Sequence, residues 1–279
     1  MRRIGALAER VVPLVVCATP IGNLDDVTLR VLRELGEADV VLCEDTRRTR
    51  VLLHRHGVSA RLVSFHRHNE ASRTAEVVPA LEAGERVALA SDAGLPGVND
   101  PGARLVASAL ERGLAVTVLP GPSAVETALV ASGLVRERYA FWGYLPRRPE
   151  ALARLWDELE AWTWPVVAFE SPRRLPASLR SLAAAQAELP VAVCRELTKR
   201  FEEVVRGSAA EVAERFREPP KGEVTLVVGA RERSRPPASR EAVEAVAELV
   251  AAGLPRRRAA DLVARLTGAG RNDLYRSSL

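Results

Sequence analysis

Sulfur is scarce in this chain: 279 residues hold three cysteines and one methionine, and there are only four histidines. Cys17, Cys43 and Cys194 each lie in or at the end of an apolar, strand-like run, which reads as buried free thiols and excludes a disulfide scaffold. So few and so scattered histidines leave no ligand set for a zinc centre, and no metal is expected. Long apolar runs are also missing. None approaches the roughly eighteen residues that cross a bilayer, and Glu9, Arg10 and Pro13 interrupt residues 1–17, which makes a poor signal peptide. A cytoplasmic protein with no membrane partner is expected. Lysine occurs only at 199 and 221, so arginine carries almost all of the positive charge behind the net +4. Arginine suits bidentate phosphate recognition, although an arginine-rich chain with Gln186 as its one glutamine equally suits a thermophile or a GC-rich genome.

Three motifs are absent as well. No Gly-x-Gly-x-x-Gly follows the first strand, no Gly-x-x-x-x-Gly-Lys-Ser/Thr occurs, and there is no Gly-x-Ser-x-Gly elbow. A ligand held through a polyphosphate is therefore not expected, which leaves small organic cofactors gripped by backbone groups and carboxylates.

What is present is organised around residues 87–133, where two strand-to-helix switches follow one another. Strand 86–91 breaks at 92–102, a loop rich in Gly and Pro that carries Asp92, Asn99 and Asp100, and Asp100-Pro101 reads as the start of helix 103–112. Strand 115–119 then turns at Pro120-Gly121-Pro122, with Ser123 as N-cap of helix 124–132. Loops at the carboxyl ends of strands are where open α/β sheets bind ligands. One Gly-Pro loop merely turns a chain; two in succession point to a small-molecule cleft.

Three earlier units have the same rhythm: strand 14–18 and helix 27–35 closed by Gly36, strand 40–43 and a helix to His56, strand 61–65 and helix 71–83. Together they predict a first α/β domain, 1–136, with a mostly parallel sheet. Beyond it an aromatic strand, 139–144, precedes the basic loop 146–149 and an amphipathic helix, 150–162, with Leu152, Leu155, Trp156 and Leu159 on one face. Strands at 165–169, 191–195, 199–206 and 223–229 flank helices 176–187 and 209–216. Two of those strands adjoin without a helix, so a mixed sheet is expected in this second α/β domain, 137–230. Residues 231–240, with Pro236-Pro237, read as a linker. Three helical segments in 241–279 suit a small helix-turn-helix unit, with Arg256-Arg257-Arg258 at the start of its second helix either meeting phosphate or lying on a solvated face.

Seven stretches in order carry a family resemblance: 17–24 (CATPIGNL), 43–47 (CEDTR), 91–96 (SDAGLP), 100–102 (DPG), 120–124 (PGPSA), 169–174 (FESPRR) and 195–199 (RELTK). In these the chain resembles the ribosomal small-subunit RNA methyltransferase I branch of the tetrapyrrole methylase superfamily over about residues 12–229. The last forty residues are similar to that branch's C-terminal helix-turn-helix domain. The resemblance implies two α/β domains with S-adenosylmethionine in the cleft between them, a homodimer, and 16S ribosomal RNA or the 30S subunit as partner. The implied reaction is methylation of the ribose 2′-hydroxyl of a cytidine in the decoding region. Matching positions place the cofactor on Pro20, Asp92, Ala93, Gly94, Val98, Ser123, Ala124, Phe169, Leu197 and Thr225. The porphyrinoid branch carries a glycine-rich first loop; Thr19-Pro20-Ile21-Gly22-Asn23 stands here instead, which favours the RNA branch.

A sulfonium carries its own leaving group, so the protein mainly has to align oxygen, methyl and sulfur and exclude water. A ribose hydroxyl is a weak nucleophile and wants a base or a cation beside it. Asp45, Glu70 and Lys199 are the candidates, with His66 and His68 behind them, against the plainer reading of each as a salt bridge, a cap or a solvated loop residue. The arginine pairs Arg47/Arg48, Arg147/Arg148 and Arg173/Arg174 lie in loops where a cleft mouth belongs and suit RNA phosphates. Tyr144, at a strand end, is placed to stack on a base. Methylation of a porphyrinoid and a non-enzymatic, ligand-sensing nucleic-acid regulator are the competing readings.

Overall fold

The computed structural model describes residues 12–230 and 238–279. The chain divides into two compact units, one ending at Ala230 and one beginning at Arg231. The first holds two five-stranded sheets.

The first sheet is built from β1 (Leu14–Cys17), β2 (Val40–Cys43), β3 (Leu62–Ser64), β4 (Val87–Ala90) and β5 (Val116–Leu119) in the order β3-β2-β4-β1-β5. Every pairing is parallel, with Leu14 opposite both Val87 and Val116. β1, β2 and β4 are apolar at every position because helices cover both faces. On one face Leu14, Val16, Leu42 and Leu89 pack with Val77, Val78 and Leu81 of α3 (Glu70–Glu82) and Leu105 of α4 (Ala103–Glu111). On the other, Val15, Cys17, Val41 and Ala88 pack with Val31 and Leu35 of α1 (Leu29–Glu37) and Leu53 of α2 (Thr46–Arg55). The neighbouring strands β1 and β4 thus send their following helices to opposite faces. A crevice opens past the carboxyl ends of these strands. Two backbone hydrogen bonds stitch the loops at its floor, from Thr19 N–H to Gly94 O at 2.8 Å and from Gly94 N–H to Thr19 O at 3.0 Å.

The second sheet runs β6-β7-β10-β8-β9, from β6 (Ala140–Tyr144), β7 (Val166–Glu170), β8 (Pro190–Arg195), β9 (Glu203–Ser208) and β10 (Val224–Val228). It is mixed, as the helix-free junction implies: β6 and β7 are parallel and the other pairings antiparallel. One face packs on α6 (Pro149–Glu158), α7 (Leu175–Ala185) and α8 (Ala209–Arg215), with Trp156 and Leu179 at the centre. The other face is covered by α5 (Ala124–Ser132), whose Val125, Ala128 and Leu129 meet Val167, Ala192, Cys194 and Val227. The helix that follows the last strand of the first sheet therefore serves the second. All three cysteines are buried and free.

Several elements differ from the sequence reading. Gly36 lies inside α1, which ends at Glu37, because Ala38 closes it through a hydrogen bond from its N–H to Glu34 O. Before α1 stands a short 3-10 turn, Leu24–Asp26, capped by Asn23. Asp100 does not cap α4. The cap is Gly102, at φ +135°, and its N–H donates to Glu70 instead. Ser123 stands at the cap position of α5 but turns its hydroxyl to Glu126. Residues 199–202 form a turn, and β9 begins only at Glu203.

In the second unit α9 (Arg240–Ala251), α10 (Arg256–Thr267) and α11 (Arg271–Ser277) close around Val246, Ala259, Ala260, Val263 and Leu274. Most of the 231–240 linker, residues 231–237, lies outside the described residues. No described helix is long and apolar enough to cross a membrane.

Candidate active site

The carboxyl ends of β1, β4 and β5 in one sheet face those of β6 and β7 in the other across a cavity of ≈ 660 Å³. A smaller hollow of ≈ 250 Å³ adjoins it and shares Ile21, Arg48, Asp92, Ala93 and Glu223. Of the residues assigned to a cofactor, Asp92, Ala93, Gly94, Val98, Ser123, Ala124, Phe169 and Thr225 line the larger space and Pro20 the smaller one. Leu197 lines neither; it is buried beside Ile21.

Carboxylates dominate the charge of the larger cavity. Glu44, Asp92, Asp100, Glu126, Glu170 and Glu223 line it, against Arg48 as the cation. Four of the six are engaged. Asp92 accepts the Asp45 N–H at 2.9 Å and an Arg48 N–H at 3.2 Å. Glu126 accepts the Tyr139 hydroxyl at 2.6 Å and the Ser123 hydroxyl. Buried Glu170 accepts from the Ser171 amide, Ser178 and Arg174, and Glu223 accepts from Lys199 at 2.9 Å. Burial pushes Glu44 above the usual carboxylate range, with Asp92 adding to the effect. Burial likewise pushes Asp100 up to about 6, reinforced by Glu44 and Asp92. Burial would raise Glu126 too, but hydrogen bonds from Ser123 and Tyr139 outweigh it and hold that carboxyl low.

The three residues proposed as base or cation are all occupied. Asp45 caps α2 and is forked by Arg47, with N–H to O distances of 3.0 and 2.7 Å, which holds its carboxyl well below the usual range. Glu70 accepts the Gly102 N–H at 2.9 Å. Neither lines the cavity. Lys199 lines the smaller hollow, between Glu196 and Glu223 at 2.9 Å each; burial alone would lower its pKa, and the two carboxylates outweigh that and raise it. His66 and His68 meet edge to face at 6.0 Å, and the buried Nδ1 of His66 has no hydrogen-bond partner among the described residues.

Arg48 reaches into the cavity. Arg47 is exposed but committed to Asp45. Arg147 and Arg148 are exposed in the loop after Tyr144, as is Arg173 in the loop after Glu170. Arg174 is instead a strut, donating to Leu145 O at 2.9 Å, Pro146 O at 3.2 Å and Glu170. Tyr144 is 64% exposed and leans on Phe169, with ring centroids 5.5 Å apart. Glu44, Glu126, Tyr139, Glu170 and Glu223 are lining residues that the sequence reading did not assign to the site. Glu44 and Glu170 had a signal, since each directly follows or ends a buried apolar strand, where a carboxylate needs a purpose.

Fold and cleft together define a two-lobed α/β protein with a carboxylate-lined pocket at facing strand ends. Residues 13–213 match the tetrapyrrole (corrin/porphyrin) methylases, and residues 237–279 match the RsmI C-terminal HTH domain. A ribosomal RNA small subunit methyltransferase I of Mesorhizobium japonicum is 43% identical over 95% of this chain and 91% of its own length. The protein of that name from Halalkalibacterium halodurans is 39% identical over 94% and 93%. Among solved structures, uroporphyrin-III C-methyltransferase from Thermus thermophilus shares the fold at TM-score 0.55 and 21% identity, covering 77% of this chain and 93% of that one. Diphthine synthase does so at 0.60 and 16%, covering 77% and 89%. The chain belongs to the tetrapyrrole methylases and, within them, to the ribosomal RNA small subunit methyltransferase I family.

Proposed function

We propose that this protein transfers the methyl group of S-adenosylmethionine to the ribose 2′-hydroxyl of a cytidine in the decoding region of 16S ribosomal RNA. The observation that carries this reading is the division of charge. Carboxylates face the cavity, while Arg147, Arg148 and Arg173 stand exposed on loops that continue from its rim. A cofactor with a sulfonium and an ammonium suits the first, and a phosphate backbone suits the second. At ≈ 660 Å³ the cavity falls in the roughly 300–1,000 Å³ range of small-molecule sites. The acidic side chains of a porphyrinoid would meet six carboxylates there, which disfavours that substrate class.

In this reading the cofactor is held by Pro20, Asp92, Ala93, Gly94, Val98, Ser123, Ala124, Phe169 and Thr225, with Leu197 supporting Ile21 from beneath. When bound it supplies a methyl group on a good leaving group. The protein contributes orientation and the exclusion of water. The relatives named above are ribosomal RNA small subunit methyltransferases, and one uroporphyrin-III C-methyltransferase of this fold was solved with S-adenosylhomocysteine. Naked 16S RNA or the 30S subunit as acceptor, a homodimer, a cytoplasmic setting and a C-terminal unit that docks on RNA belong to the same proposal. So do domain limits of 1–136, 137–230 and 241–279, with residues 231–240 as linker.

The test offers tritiated S-adenosylmethionine with 16S RNA, 30S particles or a porphyrinoid in parallel. Label in RNA is expected. Label in the porphyrinoid alone overturns the reading.

A further inference from the structure

Two cavity carboxylates, Asp100 and Glu44, make no hydrogen bond and no ion pair with any described residue, whereas the other four are tied as given above. The backbone on either side of Asp100 is fastened. On one side the carbonyl of Asn99 accepts from Arg67 at 3.3 Å, and on the other the Gly102 N–H is fixed on Glu70 at 2.9 Å. Asn99 sits at φ +62°, and its side chain lies against Gly143, where a Cβ would come within 2.9 Å of Asn99 Oδ1. Gly143 falls at the register break between Phe141 and Tyr144, so the irregularity in β6 makes room for the loop that carries Asp100. The result is a free carboxylate on a fastened backbone, opening into the cavity next to exposed Tyr144.

We infer that the Asp100 carboxylate accepts the proton of the ribose hydroxyl during methyl transfer, in place of Asp45, Glu70 or Lys199. The inference rests on the function proposed above. The hydroxyl oxygen bonds to the methyl carbon as the carbon–sulfur bond of the sulfonium breaks. Sulfur keeps that electron pair, and the hydroxyl proton passes to Asp100. A base serves best when its pKa lies near the working pH. Burial lifts Asp100 towards that range, Glu44 after β2 and Asp92 after β4 raise it further, Arg67 after β3 opposes them, and Tyr144 at the end of β6 faces it with a phenol whose own pKa is raised, first by burial and then by Asp100. Glu70 has a positioning role through the Gly102 amide.

The experiment uses the full chain with RNA and S-adenosylmethionine in single turnover from pH 5 to 8, with Asp100→Asn, Asp100→Glu and Glu44→Gln. The wild-type rate is expected to climb about tenfold per pH unit below about 6 and then level off. Asp100→Asn loses about 100-fold or more and loses the climb, with cofactor affinity by calorimetry within a few-fold of wild type; Asp100→Glu restores part of the rate. Glu44→Gln, which removes a like charge, moves the inflection to lower pH. Carboxyl ¹³C NMR of the ligand-free protein reads the same group without turnover: a titration near 6, absent in Asp100→Asn and lowered in Glu44→Gln. A flat wild-type profile, an Asp100→Asn rate close to wild type, or loss of the rate in Glu44→Gln instead overturns the assignment. An active wild type with an equally active Asp100→Asn removes this inference alone, while a wild type that methylates no RNA removes the functional reading with it.

Discussion

A Cβ placed on Gly22 would lie 2.6 Å from Cγ of Lys199, so the first cleft loop passes close against the turn after β8. In the same turn the Thr198 hydroxyl oxygen accepts the Asn23 N–H at 2.9 Å, and Glu196 and Thr198 sit at positive φ. Because one backbone atom, Leu197 O, lies 2.7 Å from the same position, a methyl group there presses on main chain as well as on side chains. Gly22→Ala is therefore expected to cost about 1–3 kcal/mol, read as a lower urea midpoint with an unchanged slope. An unaltered midpoint would show that the two loops part without penalty.

Gly94 behaves differently. It sits at φ +81°, and the nearest atoms to an added Cβ are 3.8 and 3.9 Å away, so the obstacle is conformational rather than steric. Valine at that φ costs roughly 1–3 kcal/mol. The two hydrogen bonds to Thr19 shift in response. Gly94→Val is expected to stay folded by circular dichroism and to bind S-adenosylmethionine at least tenfold more weakly in calorimetry; full affinity would detach this turn from the cofactor.

The arginines divide into struts and free cations. Arg174→Ala leaves the Glu170 carboxylate buried without its counter-ion and is expected to destabilise the protein by about 3–5 kcal/mol. Replacing Arg147 and Arg148 together should leave the melting temperature alone and lower the salt slope of RNA binding by about 1.4, two single-strand phosphate contacts' worth. If the double variant keeps the wild-type slope, those side chains only face solvent.

Asp100 also links the site to stability. Its folded pKa lies above its ordinary value, so the folded protein binds the extra proton between 3.8 and about 6 and loses stability as pH rises through that window. Asp100→Asn should accordingly raise stability at pH 7 by on the order of 1 kcal/mol after allowance for solvent screening, and leave it unchanged at pH 3. A variant less stable than wild type at pH 7 would mean that the charged form is favourably held.

Much of the fold was legible because β1, β2 and β4 are uninterrupted apolar runs separated by helical segments, a pattern that a doubly covered parallel sheet explains. Helix caps read less well. Gly36 has the composition of a stop but lies one residue short of the helix end, and Asp100 looks like a cap while a residue thirty positions earlier, Glu70, takes the amide. Nor does local pattern reveal that α5 packs on the second sheet, since Val125, Ala128 and Leu129 would suit either. At the site, backbone turns such as Ser91–Gly94 announce themselves through Gly and Pro. Which carboxylate is free is a matter of side-chain contacts that the residue pattern does not show: Asp45 and Asp100 look alike until Arg47 is seen on one and no partner among the described residues on the other.

The most direct measurement digests labelled 16S RNA to nucleosides after reaction with the protein and S-adenosylmethionine and resolves the products by mass spectrometry. The expected label is 2′-O-methylcytidine, at a linkage that resists alkaline cleavage. Label on a base, or none in RNA, would contradict ribose methylation by this cleft.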